Sequence, residues 1–366
     1  MKTKTLLTVL LASVVALQTL ATTTSNGRGK FFKATDSNIS FTGRTLSSDD
    51  GRVSFDWTGV YLQTRFTGRN IGVVIAETDT AWYNVFIDGK LKDKIKIFGR
   101  EPHAVSLAEK LPAGRHELKL QRCTEGQYSR TTVYGLNADA LATLTPVARK
   151  SRFIEVYGDS YTCGFGVESN RAEDPFLLST ENCNDAYACL VARYFDADYA
   201  LIAHSGQGII RDWAAEKTSS PINMLVRHDR IFDDHDTLRY AFDQYHPDLV
   251  IINLGTNDFS PVAIPTPDEF TGNYLSLIRS LRSHYGNVPI LCVTPHSAST
   301  YLLAAMQELG KKVADDHNVY MAEPMTDIIR YGYDFGASWH PNKQGQKKIA
   351  MTLIPRISAI MHWPIK

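Results

Sequence analysis

The sequence predicts an all-β sandwich followed by a three-layer α/β/α domain on a parallel sheet. Three observations predict it. The first half holds short apolar strands separated by turn residues, with no long helical pattern. The second half alternates apolar runs with helical periodicity. The length of 366 residues suits two domains.

At the start, Lys2 and Lys4 precede an apolar run from Leu6 to Leu17, and small or polar residues follow from Thr19 to Ser25. The run is too short to span a bilayer, so residues 1–25 read as a cleaved signal peptide. An exported protein is expected, periplasmic or secreted, with no membrane span after cleavage. Residues 26–148 are assigned to the sandwich. Its expected strands run from Gly59 to Phe66, Ile71 to Thr78, Trp82 to Asp88, Arg115 to Gln121 and Thr131 to Leu136. Turns at Thr67-Gly68-Arg69-Asn70, Asp88-Gly89-Lys90 and Pro112-Ala113-Gly114 separate them. Many short strands at regular spacing predict a sandwich or jelly roll. A linker is expected from Asn137 to Lys150, where Pro146 and basic residues break the pattern.

Residues 149–366 are assigned to the second domain. Phe153 to Tyr157, Tyr199 to Ala203, Leu249 to Leu254 and Ile290 to Val293 read as strands buried on both faces. Phe270, Tyr274, Leu277, Ile278 and Leu281 mark one face of a helix, and Leu302 to His317 and Gln344 to Ile360 behave alike.

Composition narrows the partners. Lys plus Arg and Asp plus Glu each number 39, so the formal net charge is zero. That balance gives no long-range attraction for nucleic acid or an anionic membrane. A neutral polysaccharide fits better, and a monomer is expected. Five cysteines leave at least one thiol unpaired. Cys183 and Cys189 are close enough in sequence to bridge, whereas Cys292 lies in an apolar run and reads as a buried free thiol. With no C-x-x-C and no H-E-x-x-H, neither a metal nor another cofactor is expected.

Ligands of an open parallel sheet bind at the carboxyl ends of its strands. Three polar clusters lie there: Gly158-Asp159-Ser160, Ser205-Gly206-Gln207-Gly208 and Gly255-Thr256-Asn257-Asp258. A fourth, Ser338-Trp339-His340-Pro341-Asn342, precedes the last helix. Acyl transfer needs a nucleophile, a base, a group that orients the base, and donors for the oxyanion. Ser160 after a glycine turn suits the first role and His340 the second. The N–H groups of Ser160 and Gly206 and the Asn257 amide suit the last. Asp159 and Asp258 read as acids that hold their loops. Trp213 and Trp339 flank the site in sequence and are candidates to stack on a sugar face. Arg211 reads either as a donor to sugar hydroxyls or as a solvated surface residue.

The four clusters, in this order, resemble the blocks of the SGNH, or GDSL, hydrolases, whose sheet is flavodoxin-like. The preceding sandwich, with Phe66-Thr67-Gly68, Ile87-Asp88-Gly89 and Arg122-Cys123-Thr124-Glu125, extends the resemblance to carbohydrate esterase family 2 over nearly the whole mature chain. The resemblance implies Ser160 as nucleophile, Gly206 and Asn257 as oxyanion donors with the Ser160 N–H, and His340 as base. It further implies removal of acetyl groups from xylan, mannan and related glycans, often at the 6-position of a sugar. One departure stands out. The superfamily places an Asp three residues before the His, and some family members two before; here those positions hold Ala337 and Ser338. A Ser–His dyad is therefore expected, with Asp334 the remaining carboxylate to consider. Two other functions compete: a lipase or thioesterase acting on longer acyl esters, and an inactive glycan-binding protein.

Overall fold

The computed structural model describes residues 29–234 and 237–366, so the expected signal peptide lies outside the described residues. Two antiparallel sheets of six strands form the first half. One runs Leu46–Ser47, Val53–Phe55, Thr131–Ala138, Ile71–Glu77, His103–Ala108, with Lys30–Lys33 added on Thr131–Ala138. The other runs Leu144–Thr145, Tyr61–Gly68, Gly114–Arg122, Thr80–Ile87, Lys90–Phe98, with Ser40–Thr42 added on Tyr61–Gly68. Side chains alternate across each strand, and those turned inward, among them Phe55, Leu62, Val73, Ile75, Val85, Leu118 and Val133, fill the space between the sheets. Each fully buried side chain of this size contributes about 1.5–3 kcal/mol.

All five expected sandwich strands are present, within a few residues at each end. The strands not foreseen are short or polar. Lys90–Phe98 carries lysines at 90, 92, 94 and 96 and is mostly exposed, and Asp93 breaks its alternation with Leu91, Ile95 and Ile97. Lysines on an edge strand also discourage pairing with other chains. The linker differs from expectation. Asn137 and Ala138 still belong to a strand, and Leu144–Thr145 returns to pair with Phe66 and Arg65 before the chain leaves the sandwich.

The second half holds a five-stranded parallel sheet in the order Asp198–Ala203, Phe153–Gly158, Leu249–Asn253, Ile290–Val293, Val319–Met321. This is the flavodoxin-like order 2-1-3-4-5. Alternate strand residues face different helices. Ile154, Val156, Ile251 and Leu291 pack with Val191, Ile349 and Leu353 from helices Tyr187–Tyr194 and Lys343–Met361. Ile202, Val250, Ile252 and Cys292 pack with Phe270, Leu277 and Leu302 from helices Pro267–Tyr285 and Thr300–Lys312. Thr266 and Glu269 form a capping box with Pro267 at the first helical position, which fixes where the Pro267–Tyr285 helix begins. Val319–Met321 was not expected, because three residues carry too little periodicity to read.

The halves are pinned by buried polar contacts. The Arg44 guanidinium donates to Glu155 (3.2 Å) and to the Tyr157 hydroxyl (3.0 Å) on the first parallel strand. Trp57 Nε1 donates to the Ile231 carbonyl, and the Tyr61 hydroxyl donates to Asp198. All five cysteines are buried and free. Cys183 and Cys189, which could bridge by their spacing, do not: the Cys183 thiol donates to the Arg122 carbonyl at 3.3 Å, and Cys189 Sγ accepts from Gln121 Nε2 at 3.9 Å. Among the described residues no helix is long and apolar enough to cross a membrane.

Candidate active site

Gly158 ends the first parallel strand, and nothing larger fits there: a Cβ would lie 2.0 Å from Thr162 Oγ1. The chain then turns at once into Ser160–Cys163, capped by Asp159, whose carboxylate accepts the Tyr161 N–H at 3.0 Å. Ser160 opens the turn, so its N–H has no partner within it, and no described residue accepts it. Burial pushes the Asp159 carboxyl up to about 7.

Ser160 Oγ lies 2.8 Å from His340 Nε2. The opposite ring nitrogen, Nδ1, is 2.8 Å from the Ser338 carbonyl. A carbonyl only accepts, so Nδ1 carries the hydrogen and Nε2 is left free to accept. Two successive left-handed residues, Ser338 (φ 52°) and Trp339 (φ 61°), aim that carbonyl inward. Their N–H groups donate to the Asp174 and Ala172 carbonyls at 2.9 and 3.1 Å, which holds the unusual backbone in place. Burial disfavours the imidazolium and pushes the His340 pKa down to about 4. Asp334 does not take part: it is fully buried, and its carboxylate accepts the Arg330 N–H and the Lys348 ammonium. Among the described residues no carboxylate hydrogen-bonds the His340 ring.

The two other expected donors, Gly206 and Asn257, lie on two further loops. Gly206 has φ +79° and open space where a Cβ would stand, and no described residue accepts its N–H. Asn257 Nδ2 donates to the Gln207 carbonyl at 2.8 Å and to Asp159 at 3.3 Å. The longer bond is the weaker of the two and the easier one for an incoming oxygen to replace. Asp258 holds this loop by accepting the N–H groups of Ile209, Ile210 and Arg211 at 2.9, 2.8 and 3.3 Å. Burial pushes its carboxyl up to about 6 against those bonds.

Arg211 corrects both expectations for it. It is fully buried, and its guanidinium donates to the carbonyls of Asp258, Val262, Ala263 and Ala215. The 258–263 loop wraps around it, so it meets neither sugar nor bulk water. His204 and His246 are structural: His204 Nδ1 is 2.8 Å from Asp233, and His246 Nε2 is 3.0 Å from the Tyr285 carbonyl.

A cleft of about 820 Å³ opens over Ser160, Gly206, Asn257 and His340. Trp213 and Trp339 both line it and remain 57% and 52% exposed, enough to leave a ring face for a ligand. Tyr331 stacks on Trp339 at 5.3 Å. Gln127 and Tyr128 of the sandwich complete the wall, and sequence reading missed them. Tyr128 stacks on Phe176, which stacks on Phe165, whose ring lies 4.6 Å from that of His340. The available signal was the Glu125-Gly126-Gln127 break directly after a strand, where binding residues tend to gather.

A serine at the head of a central parallel strand, facing an imidazole from a loop before the last helix, is the arrangement of an acyl hydrolase. Residues 156–348 match the GDSL-like lipase/acylhydrolase family, and the chain belongs to it. Residues 41–147 match the carbohydrate esterase 2 N-terminal family. The protein is thus a member of carbohydrate esterase family 2, a carboxylic ester hydrolase. An acetylxylan esterase / glucomannan deacetylase of Cellvibrio japonicus is 27% identical over 83% of this chain and 85% of its own length. The cellulase/esterase CelE of Acetivibrio thermocellus is 28% identical over 89% of this chain, which spans only 40% of that protein. A family two carbohydrate esterase from Clostridium thermocellum, solved with cellohexaose, superposes with a TM-score of 0.82 at 27% identity, covering 89% of this chain and 100% of that one.

Proposed function

We propose that the protein is an exported deacetylase that removes O-acetyl groups from plant cell-wall polysaccharides such as xylan and glucomannan or their oligosaccharides. Ser160 is the nucleophile and His340 the general base. The observation that carries this reading is the pair of 2.8 Å contacts at His340, one to Ser160 and one to the Ser338 carbonyl. Nε2 takes the Ser160 proton as Oγ bonds to the acetyl carbonyl carbon. The carbonyl oxygen gains the electron pair and lies against the Ser160 and Gly206 N–H groups and the Asn257 amide. As the tetrahedral intermediate collapses, the C–O bond to the sugar breaks and His340 returns the proton to the sugar oxygen. Water, deprotonated by His340, then attacks the acetyl-enzyme; the bond from the acyl carbon to Ser160 Oγ breaks, His340 returns the proton to Oγ, and acetate leaves. The Ser338 carbonyl keeps the tautomer correct throughout, though without the full charge a carboxylate offers the imidazolium. Exposed faces on Trp213 and Trp339 support a sugar ligand.

The test is acetate release from acetylated xylan and glucomannan by wild type and Ser160→Ala side by side. Release by the wild type, lost in the variant, is expected. Faster turnover of octanoyl than acetyl chromogenic esters would overturn the polysaccharide reading in favour of a lipase. Glycan binding without hydrolysis by the wild type would make the protein a binding module.

A further inference from the structure

Below the cleft, three side chains that the mechanism leaves unused meet in the interior. Glu125 comes from the sandwich, Cys163 from the Ser160 turn, and Glu181 from the segment between that turn and the next helix. All three are fully buried, and one ligating atom of each lies within 4.8 Å of the others. Glu125 Oε2 accepts the N–H of Ser205 at 2.7 Å and the thiol of Cys163 at 3.5 Å. Ser205 immediately precedes Gly206. A single carboxylate from the first domain therefore grips the loop that presents the Gly206 N–H and the turn that presents Ser160.

The remaining oxygens are unusual. Glu125 Oε1 and both oxygens of Glu181 receive no hydrogen bond from any other described residue. The nearby cations are already engaged. Arg122 pairs with Glu77 and donates to the Glu125 and Ser129 carbonyls. Lys94 pairs with Glu168 and donates to the Ser179 and Glu181 carbonyls. Cys163 and Tyr128 face both acids, His204 and Asp159 also face Glu125, and Cys123 also faces Glu181. Two buried carboxylates this close repel each other when both are charged, and burial adds to that cost. Burial and the Glu125 charge push the Glu181 carboxyl well above its usual range.

We propose that Glu125 is a positioning residue for the oxyanion loop, and that Glu181 keeps its proton and directs it at Glu125 Oε1. This rests on the reading of Gly206 as an oxyanion donor. Through Glu125 the sandwich then sets the geometry of the reacting centre from behind the cleft, in addition to the wall that Gln127 and Tyr128 supply.

The test uses the full chain and two readouts. With a chromogenic acetyl ester, Glu125→Ala is expected to lower kcat about 100-fold, the order that a 1 Å misplacement of a catalytic group costs, with KM within about twofold. Glu125→Gln keeps an acceptor for the Ser205 N–H and should recover most of that loss. An unchanged kcat in folded Glu125→Ala would overturn the positioning role. The second readout is thermal stability against pH, which needs no activity and so separates this proposal from the parent reading. A folded-state pKa raised in Glu181 means the unfolded chain releases that proton first, so wild-type stability falls as pH rises from about 4.5. Glu181→Gln cannot ionise, and its Tm should gain on wild type steadily from about pH 5 to pH 8. A constant difference across that range would overturn the shared proton. So would one equivalent of zinc bound to purified wild type and absent from Cys163→Ser, because the three side chains would then be metal ligands.

Discussion

The two sides of the Ser160 hydroxyl are built from different materials. On the imidazole side the support is neutral: a backbone carbonyl at Ser338 orients His340, and a left-handed turn orients the carbonyl. On the oxyanion side the support is ionic. Asp258 gathers three N–H groups, Arg211 gathers the carbonyls of the 258–263 loop, and Glu125 grips Ser205. The difference follows from what each side does. The base must move between neutral and charged states, and a neighbouring full charge would shift its pKa. The loop on the oxyanion side only has to stay still, and buried polar side chains that each hold several backbone groups give rigidity.

Four experiments sharpen or break this contrast, the largest effect first. His340→Ala removes the base and should lower kcat by roughly four to six orders of magnitude, with KM little changed. On the other side, Arg211→Met strands several buried carbonyls and should cost about 3 kcal/mol of stability, read as a denaturant midpoint. Because Asn257 adjoins the same loop, kcat should fall with it by about 100-fold. Wild-type stability and activity with Met here would show that the loop is held by packing alone.

The third experiment is a pH profile. His340 accepts a proton from Ser160 only when neutral, and its pKa is pushed down to about 4. The kcat/KM should therefore stay flat from about pH 7 to pH 5 and halve near its pKa. Between the ordinary value and this lowered one, the unfolded chain binds a proton that the native ring refuses, so native stability falls as the pH drops through that window. An acidic midpoint near the free imidazole value of 6.5 would mean that the ring is as well solvated as a free one.

The smallest effect is expected from Asp334→Ala. It frees Lys348 and the Arg330 N–H and should lower the Tm, while kcat changes by less than about tenfold. A loss approaching that of His340→Ala would show that Asp334 orients the base after all.

The imidazole side was readable in the sequence, because Gly158-Asp159-Ser160 and His340-Pro341 each sit at a boundary marked by local turn and cap residues. The parallel strands were readable for the same reason: both faces are buried, and the run of apolar residues shows it. Of the supports on the oxyanion side, Asp258 was readable as an acid that holds its loop, but Glu125 and Arg211 were not. Glu125 and Ser205 are 80 residues apart, and Arg211 bonds residues about 50 positions away. A buried Arg or Glu has the same letter as a solvated one. What distinguishes them is which loop closes over them, and no local pattern records that. Lys90–Phe98 was missed for another reason: five of its nine residues are charged, and Asp93 interrupts the alternation that would mark a strand.

The wall formed by Gln127 and Tyr128, with Glu125 behind it, has a consequence for protein engineering. The front domain is not a cassette. Replacing it with a glycan-recognising module, a common way to redirect an enzyme to a new polymer, would remove part of the cleft wall itself. Redirecting this enzyme means redesigning one loop of the front domain in place.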